Sequence, residues 1–147
     1  MAEQLFPTFE IPTTAVSAQR DAEMEFRPSP LFDYDTGDFV RDGANRVVMV
    51  DGREAFRVWV RKIVSTQINS CLAYWGTGID AENAMQAPSR AASESILERS
   101  ISEALLANTC TERVYGFQFT WEPDSVHVHF TVQPKAWAAF DIDQNVV

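Results

Sequence analysis

The stretch Tyr115-Gly116-Phe117-Gln118-Phe119-Thr120-Trp121-Glu122-Pro123-Asp124-Ser125-Val126-His127-Val128-His129-Phe130-Thr131-Val132 decides the fold. Along an extended strand every second side chain lies on the same face. Tyr115, Phe117, Phe119 and Trp121 therefore share one face of a first strand, and Val126, Val128, Phe130 and Val132 share one face of a second. Glu122-Pro123-Asp124-Ser125 supplies the turn between them. Such a hairpin has one apolar face, and the rest of the chain must cover it.

The cover lies upstream. Phe56, Trp59, Val60, Ile63, Val64 and Cys71 recur at helical spacing and predict a helix over residues 53–72. Ala73-Tyr74-Trp75-Gly76-Thr77-Gly78 ends it, with two glycines available for positive φ. A looser stretch runs to Pro88. A second helix is expected from Ser89 or Ser93 to Ala107, with Leu97, Ile101, Ala104 and Leu105 as its buried stripe and Asn108 at its cap.

Nearer the start the signals are again β. Phe32 and Tyr34, the turn Asp35-Thr36-Gly37, then Phe39 and Val40 predict a hairpin. Asp42-Gly43 turns the chain into a strand over residues 46–50, and Asp51-Gly52 closes the set. Residues 1–30 hold no period and are broken by Pro7, Pro12, Pro28 and Pro30, with Phe6 and Phe9 too apolar to leave in water. They read as an extended arm that packs against something, such as a neighbouring subunit, with a disordered tail as the alternative. The expected fold is α+β: an antiparallel sheet of N-terminal hairpin plus strand and C-terminal hairpin, with two helices packed on one face. The expected organisation is an extended Pro-rich arm (1–30), a single α+β domain (31–134) and a short C-terminal tail (135–147).

Composition narrows the function. The 147 residues are 46% hydrophobic, enough for one real core, and carry a net charge of −9 with a pI near 4.6. A protein this acidic is repelled by phosphate backbones, so nucleic acid is not the expected partner. No apolar run approaches the ~20 residues that span a bilayer, so no membrane role is expected. The opening residues lack the pattern of a signal peptide. Cys71 and Cys110 make no disulfide or zinc pattern; they read as small buried hydrophobes in a reducing cytosol.

A search for chemistry returns little. Asp33-x-Asp35-x-Gly37-Asp38 resembles part of a calcium loop, but its glycine is fifth and its twelfth position is Ala44, so a hairpin turn is the better reading. His127 and His129 share a strand face and could chelate a metal, yet no third ligand stands at a useful spacing, and a solvated or partner-facing surface is favoured. No nucleophile elbow, Cys-His frame or phosphate loop occurs. Asp80, Glu82 and Glu54 would need to converge, one of them in an apolar pocket, to hydrolyse a glycoside. The expectation is a protein that is not an enzyme and uses no cofactor.

One charge feature stands out. Residues 53–71 carry three Arg, one Lys and one Glu, whereas the segments on either side are strongly acidic. Arg53, Arg57 and Arg61 repeat at i, i+4, where like charges repel by about 0.2–0.5 kcal/mol per pair. The strip is either a solvated face or a basic surface for acidic groups of a partner.

The ordered set of Leu5-Phe6-Pro7-Thr8-Phe9-Glu10-Ile11-Pro12, Phe32-Asp33-Tyr34-Asp35-Thr36-Gly37-Asp38-Phe39, Val50-Asp51-Gly52-Arg53-Glu54-Ala55, Tyr74-Trp75-Gly76-Thr77-Gly78-Ile79, Ser102-Glu103-Ala104-Leu105-Leu106 and the hairpin to Val132 resembles the baseplate wedge or sheath-initiator family of contractile phage tails. The likeness is to its myophage and defective-prophage branch. The Glu-Pro-Arg tripeptide of the better-known branch is absent, so contacts ascribed to it do not carry over. The resemblance implies a structural subunit in a virion tail baseplate, assembled in the bacterial cytoplasm and present in six copies around the tube. It further implies a link from the inner baseplate ring to the first sheath disc. Its implied partners are the tail sheath protein, baseplate J-like wedge proteins and tail tube or hub proteins. Family names that include "lysozyme" keep a peptidoglycan hydrolase as one alternative, and a small cytosolic binding module is another. Candidate partner contacts are Phe6, Phe9, Arg53, Arg57, Arg61, Lys62, Trp75, His127 and His129.

Overall fold

The computed structural model describes residues 26–146. In chain order the elements are β1 (Ser29–Pro30), β2 (Phe32–Asp33), β3 (Asp38–Phe39), β4 (Met49–Val50), α1 (Gly52–Val64), a 3₁₀ turn (Leu72–Tyr74), α2 (Ala81–Met85), α3 (Arg90–Leu106), β5 (Thr111–Trp121), β6 (Val126–Pro134) and β7 (Phe140–Asn145). The fold is mixed α+β with antiparallel sheets, as the periodicities require. The pairing is divided, however: β1 pairs β4, β2 pairs β3, and β5-β6-β7 form the main sheet. The N-terminal strands are two residues each, too short to extend the main sheet.

β6 is the central strand, and it alternates buried and half-buried along its whole length. Val126, Val128, Phe130 and Val132 face the core, where they meet Phe56, Val60, Ile63 and Val64 of α1 and Leu97, Ile101 and Leu105 of α3. Burying each side chain of this size contributes roughly 1.5–3 kcal/mol. Phe117 stacks on Phe130 with ring centroids 5.3 Å apart. Polar ties fix α3: Trp121 donates its indole N–H to Glu94 (2.8 Å), and the buried Ser93 hydroxyl donates to the Ala84 carbonyl (2.7 Å).

Four expectations need correction. The stretch 135–147 is not a tail, because β7 pairs β6 from Phe140↔Val132 to Asn145↔His127 and buries Phe140 and Ile142. The alternation in β5 is also broken. Tyr115 pairs Thr131 but Gln118 pairs His129, so β5 carries one extra residue, and Gly116 takes φ +74 at that bulge. The phase change turns Tyr115 outward, 41% exposed, while Val114, Phe117, Phe119 and Trp121 pack on the core.

The third correction concerns α1, which stops at Val64 and not near Leu72. The Ser65 and Thr66 hydroxyls donate back to the Arg61 and Lys62 carbonyls, offering the chain an alternative to further helix. The chain then pairs with Ile79: Ile68 N–H donates to the Ile79 carbonyl and Ile79 N–H to the Thr66 carbonyl, both at 2.9 Å. Gly78 makes this approach possible, with φ +113 and the Thr66 carbonyl where a Cβ would sit. Cys71 consequently lies off the helix and exposed, and Cys110 is half-buried, so the thiols are not a pair of core hydrophobes. Lastly, the looser stretch before Pro88 contains α2, capped by the Asp80 carboxylate.

Truncating Ile142 to Ala tests the third strand. Chemical denaturation should show a loss of about 2–5 kcal/mol, as for a buried isoleucine; a loose tail would give a change within about 0.5 kcal/mol.

Candidate partner-contact surfaces

α1 presents the basic strip along the side not committed to the core. Arg53 and Lys62 are exposed, and Arg57 and Arg61 are half-buried. Three of the four are held over aromatic rings. The Arg53 guanidinium lies 5.6 Å from the Phe140 ring centroid, Arg61 lies 5.9 Å from Tyr34, and the Lys62 ammonium lies 4.5 Å from Tyr74. None of the four forms an ion pair with another described residue. The Arg61 Nε–H is buried without a hydrogen-bond partner among the described residues. Three of these cations are therefore oriented by rings, and none is ion-paired among the described residues, an arrangement that suits an incoming carboxylate.

The outer face of the main sheet is the second surface. His127 and His129 project from it, opposite the core-facing Val126, Val128 and Phe130. His127 pairs across the sheet with Asn145, and His129 with Asp143. The two imidazole nitrogens of His127 lie 3.8 Å from a Glu122 oxygen and 3.9 Å from an Asp143 oxygen, ion pairs only when the ring is protonated. Thr131 donates its hydroxyl to Asp141 at 2.6 Å. Among the described residues no group of three His, Cys, Asp or Glu side chains is placed to hold a metal.

The third surface is apolar. Trp75, one of the candidate contacts, is 67% exposed and belongs to a larger patch with Leu72 at 89% and Tyr74 at 52%. Sequence reading missed Leu72, which it assigned to the end of a helix; the polar run Ser65-Thr66-Gln67 before it was the available signal. Nearby, Phe32 packs edge-to-face on Tyr34 (4.9 Å) and on Phe39 (5.3 Å), and these rings line a cleft against α1. Phe6 and Phe9 lie outside the described residues.

Asp33-x-Asp35-x-Gly37 is a hairpin turn: the Gly37 N–H donates to the Asp33 carbonyl and the Asp35 N–H to the Asp33 carboxylate, both at 2.9 Å. Asp80 caps α2, while Glu54 and Glu82 are exposed. Among the described residues no helix is long and apolar enough to cross a membrane.

The family model described as contractile injection system sheath initiator matches residues 29–135, well over half of the chain. No curated protein matches the chain.

Two turns carry a pH signature. The Asp35 backbone N–H and then the Thr36 hydroxyl hold the Asp33 carboxyl below its ordinary 3.8; the Arg46 backbone N–H, with the Arg46 guanidinium and Ala44 N–H, does the same for Asp42. Both folded values lie below the unfolded one, so the stabilisation is complete above pH 3.8 and is lost as pH falls through the folded values. NMR titration should place both midpoints below 3.8, and Asp33→Asn and Asp42→Asn should each weaken the acid dependence of stability in that window; midpoints at or above 3.8 would refute the turn geometry.

Proposed function

The chain belongs to the contractile injection system sheath initiator family, and from that premise we propose that it joins the inner baseplate ring to the first sheath disc and nucleates sheath polymerisation. Membership makes it a structural component of such a system, with tail sheath and baseplate components as its partners. The finer reading is the open edge of the main sheet. Among the described residues β7 pairs on one side only, in unbroken register, whereas β5, the other outer strand, is interrupted by two bulges. Bulges blunt an edge against further pairing, and a regular edge invites it.

The register identifies the groups on offer. Val146 N–H donates to the Val126 carbonyl, so Asn145↔His127 is a pair without mutual hydrogen bonds. Alternation then turns the Asp143 and Asp141 amides away from β6. An extended arm of a sheath subunit added there gains main-chain hydrogen bonds in series, and alternate side chains set its identity. The basic strip on α1 serves a different partner, the acidic groups of a baseplate J-like wedge or hub protein, and orients the subunit within a ring of six. No step in this role makes or breaks a covalent bond.

The single observation behind the reading is the unbulged β7 edge within a chain of this family. Seeded polymerisation of the cognate sheath protein, followed by light scattering, tests it. The parent chain should shorten the lag, and Asp143→Pro should abolish that effect while changing stability by no more than about 1 kcal/mol, because no β6 bond is lost. Seeding undiminished by the proline would refute the edge. Arg57→Glu should instead weaken capture by the isolated baseplate and leave sheath seeding intact; equal capture would remove the strip from the account.

A further inference from the structure

The aromatic cleft between β1–β3 and α1 has a volume near 370 Å³ and is lined by Pro30, Phe32, Tyr34, Phe39 and Val58, with the exposed Lys62 among them. That size and lining are those of a recognition cleft. The cleft is basic on its α1 side, where Arg61 lies over Tyr34 and Lys62 over Tyr74. Through Tyr74 it continues into the exposed Leu72 and Trp75. Aromatic floors of this kind recognise extended proline-containing segments, whose limited unfolded freedom makes docking cheap. A cationic side adds a preference for a carboxylate.

The chain itself contains such a segment. Leu5-Phe6-Pro7-Thr8-Phe9-Glu10-Ile11-Pro12 has four large apolar side chains and two prolines, and Glu3 and Glu10 are the only charged side chains among residues 1–12. The described chain begins at Phe26, whose ring packs on Phe56 and Trp59, and the cleft wall begins at Ser29. The first described residue thus stands three positions before the cleft wall. The 13 residues between Pro12 and Phe26 reach up to roughly 45 Å when extended. A tether of that length gives an effective concentration of order mM, which favours the same molecule over a second copy.

We propose that residues 5–12 dock intramolecularly in the aromatic cleft between β1–β3 and α1, with Phe6 and Phe9 against Phe32 and Phe39 and Glu10 facing Lys62. The docked segment covers apolar surface that the folded domain otherwise leaves to water. The proposal is independent of the β7 edge and stands or falls without it.

Hydrogen exchange read by mass spectrometry on the full chain tests it. Phe6→Ser/Phe9→Ser should speed exchange roughly tenfold in residues 29–40 and 65–76, while the α3 and β6 amides keep the parent rates. Lys62→Glu should do the same, and Glu10→Lys added to Lys62→Glu should restore protection. A synthetic peptide of residues 3–14 should restore it in the Phe6→Ser/Phe9→Ser chain. Unchanged exchange in these variants would overturn the docking. Protection that falls on dilution of the parent chain would overturn its intramolecular form and assign the segment to a second copy.

Discussion

The structure depends on the burial of one face of β6. Its inward side chains, Val126, Val128, Phe130 and Val132, are fully or almost fully removed from water, and strands lie on both of its sides. A central strand with one apolar face needs a lid, and α1 and α3 provide it through Phe56, Val60, Leu97, Ile101 and Leu105. The outward residues of the same strand, His127, His129, Thr131 and Gln133, are left for polar work. A one-residue slip would exchange the two sets, so this burial also fixes the register of β5 and β7. From that register follows the outward direction of the Asp143 amide.

The parts legible in the sequence were those governed by local periodicity. The Val126–Val132 alternation, the α3 stripe and the Asp35-Thr36-Gly37 turn each follow from spacing alone, and each is present. What escaped depended on residues far apart or on a single exception. Phe140-Asp141-Ile142-Asp143 alternates as clearly as the hairpin does, but Pro134 and the acidic side chains made it read as a tail. Only the free side of β6 gives that short stretch a reason to be a strand. The phase change at Gly116 could not be read from spacing, because a bulge keeps the composition and shifts the face. The end of α1 was signalled by Ser65 and Thr66, but Cys71 prolonged the apparent helical pattern.

The candidate contacts divide in the same way. The i, i+4 spacing of Arg53, Arg57 and Arg61 places them on one stripe without any tertiary information. Which cations are free is a tertiary matter. Arg53 and Arg61 rest over Phe140 and Tyr34, residues 87 and 27 positions away, while Arg57 meets no ring among the described residues. The exposed patch of Trp75 with Leu72 and Tyr74 depends on the chain leaving the helix early. In the proposed role these surfaces share a purpose, which rests on membership of the sheath initiator family. The proposal assigns the strand edge to templating and the cations to anchoring, and the two adjoin where Arg53 lies over Phe140.

The most direct test is a cryo-EM reconstruction of the baseplate with its first sheath disc attached. The account predicts a continuous strand of the sheath subunit lying beside β7 at the usual interstrand spacing of about 4.8 Å. A bare β7 edge in that map, with the sheath seated elsewhere on this chain, would contradict it.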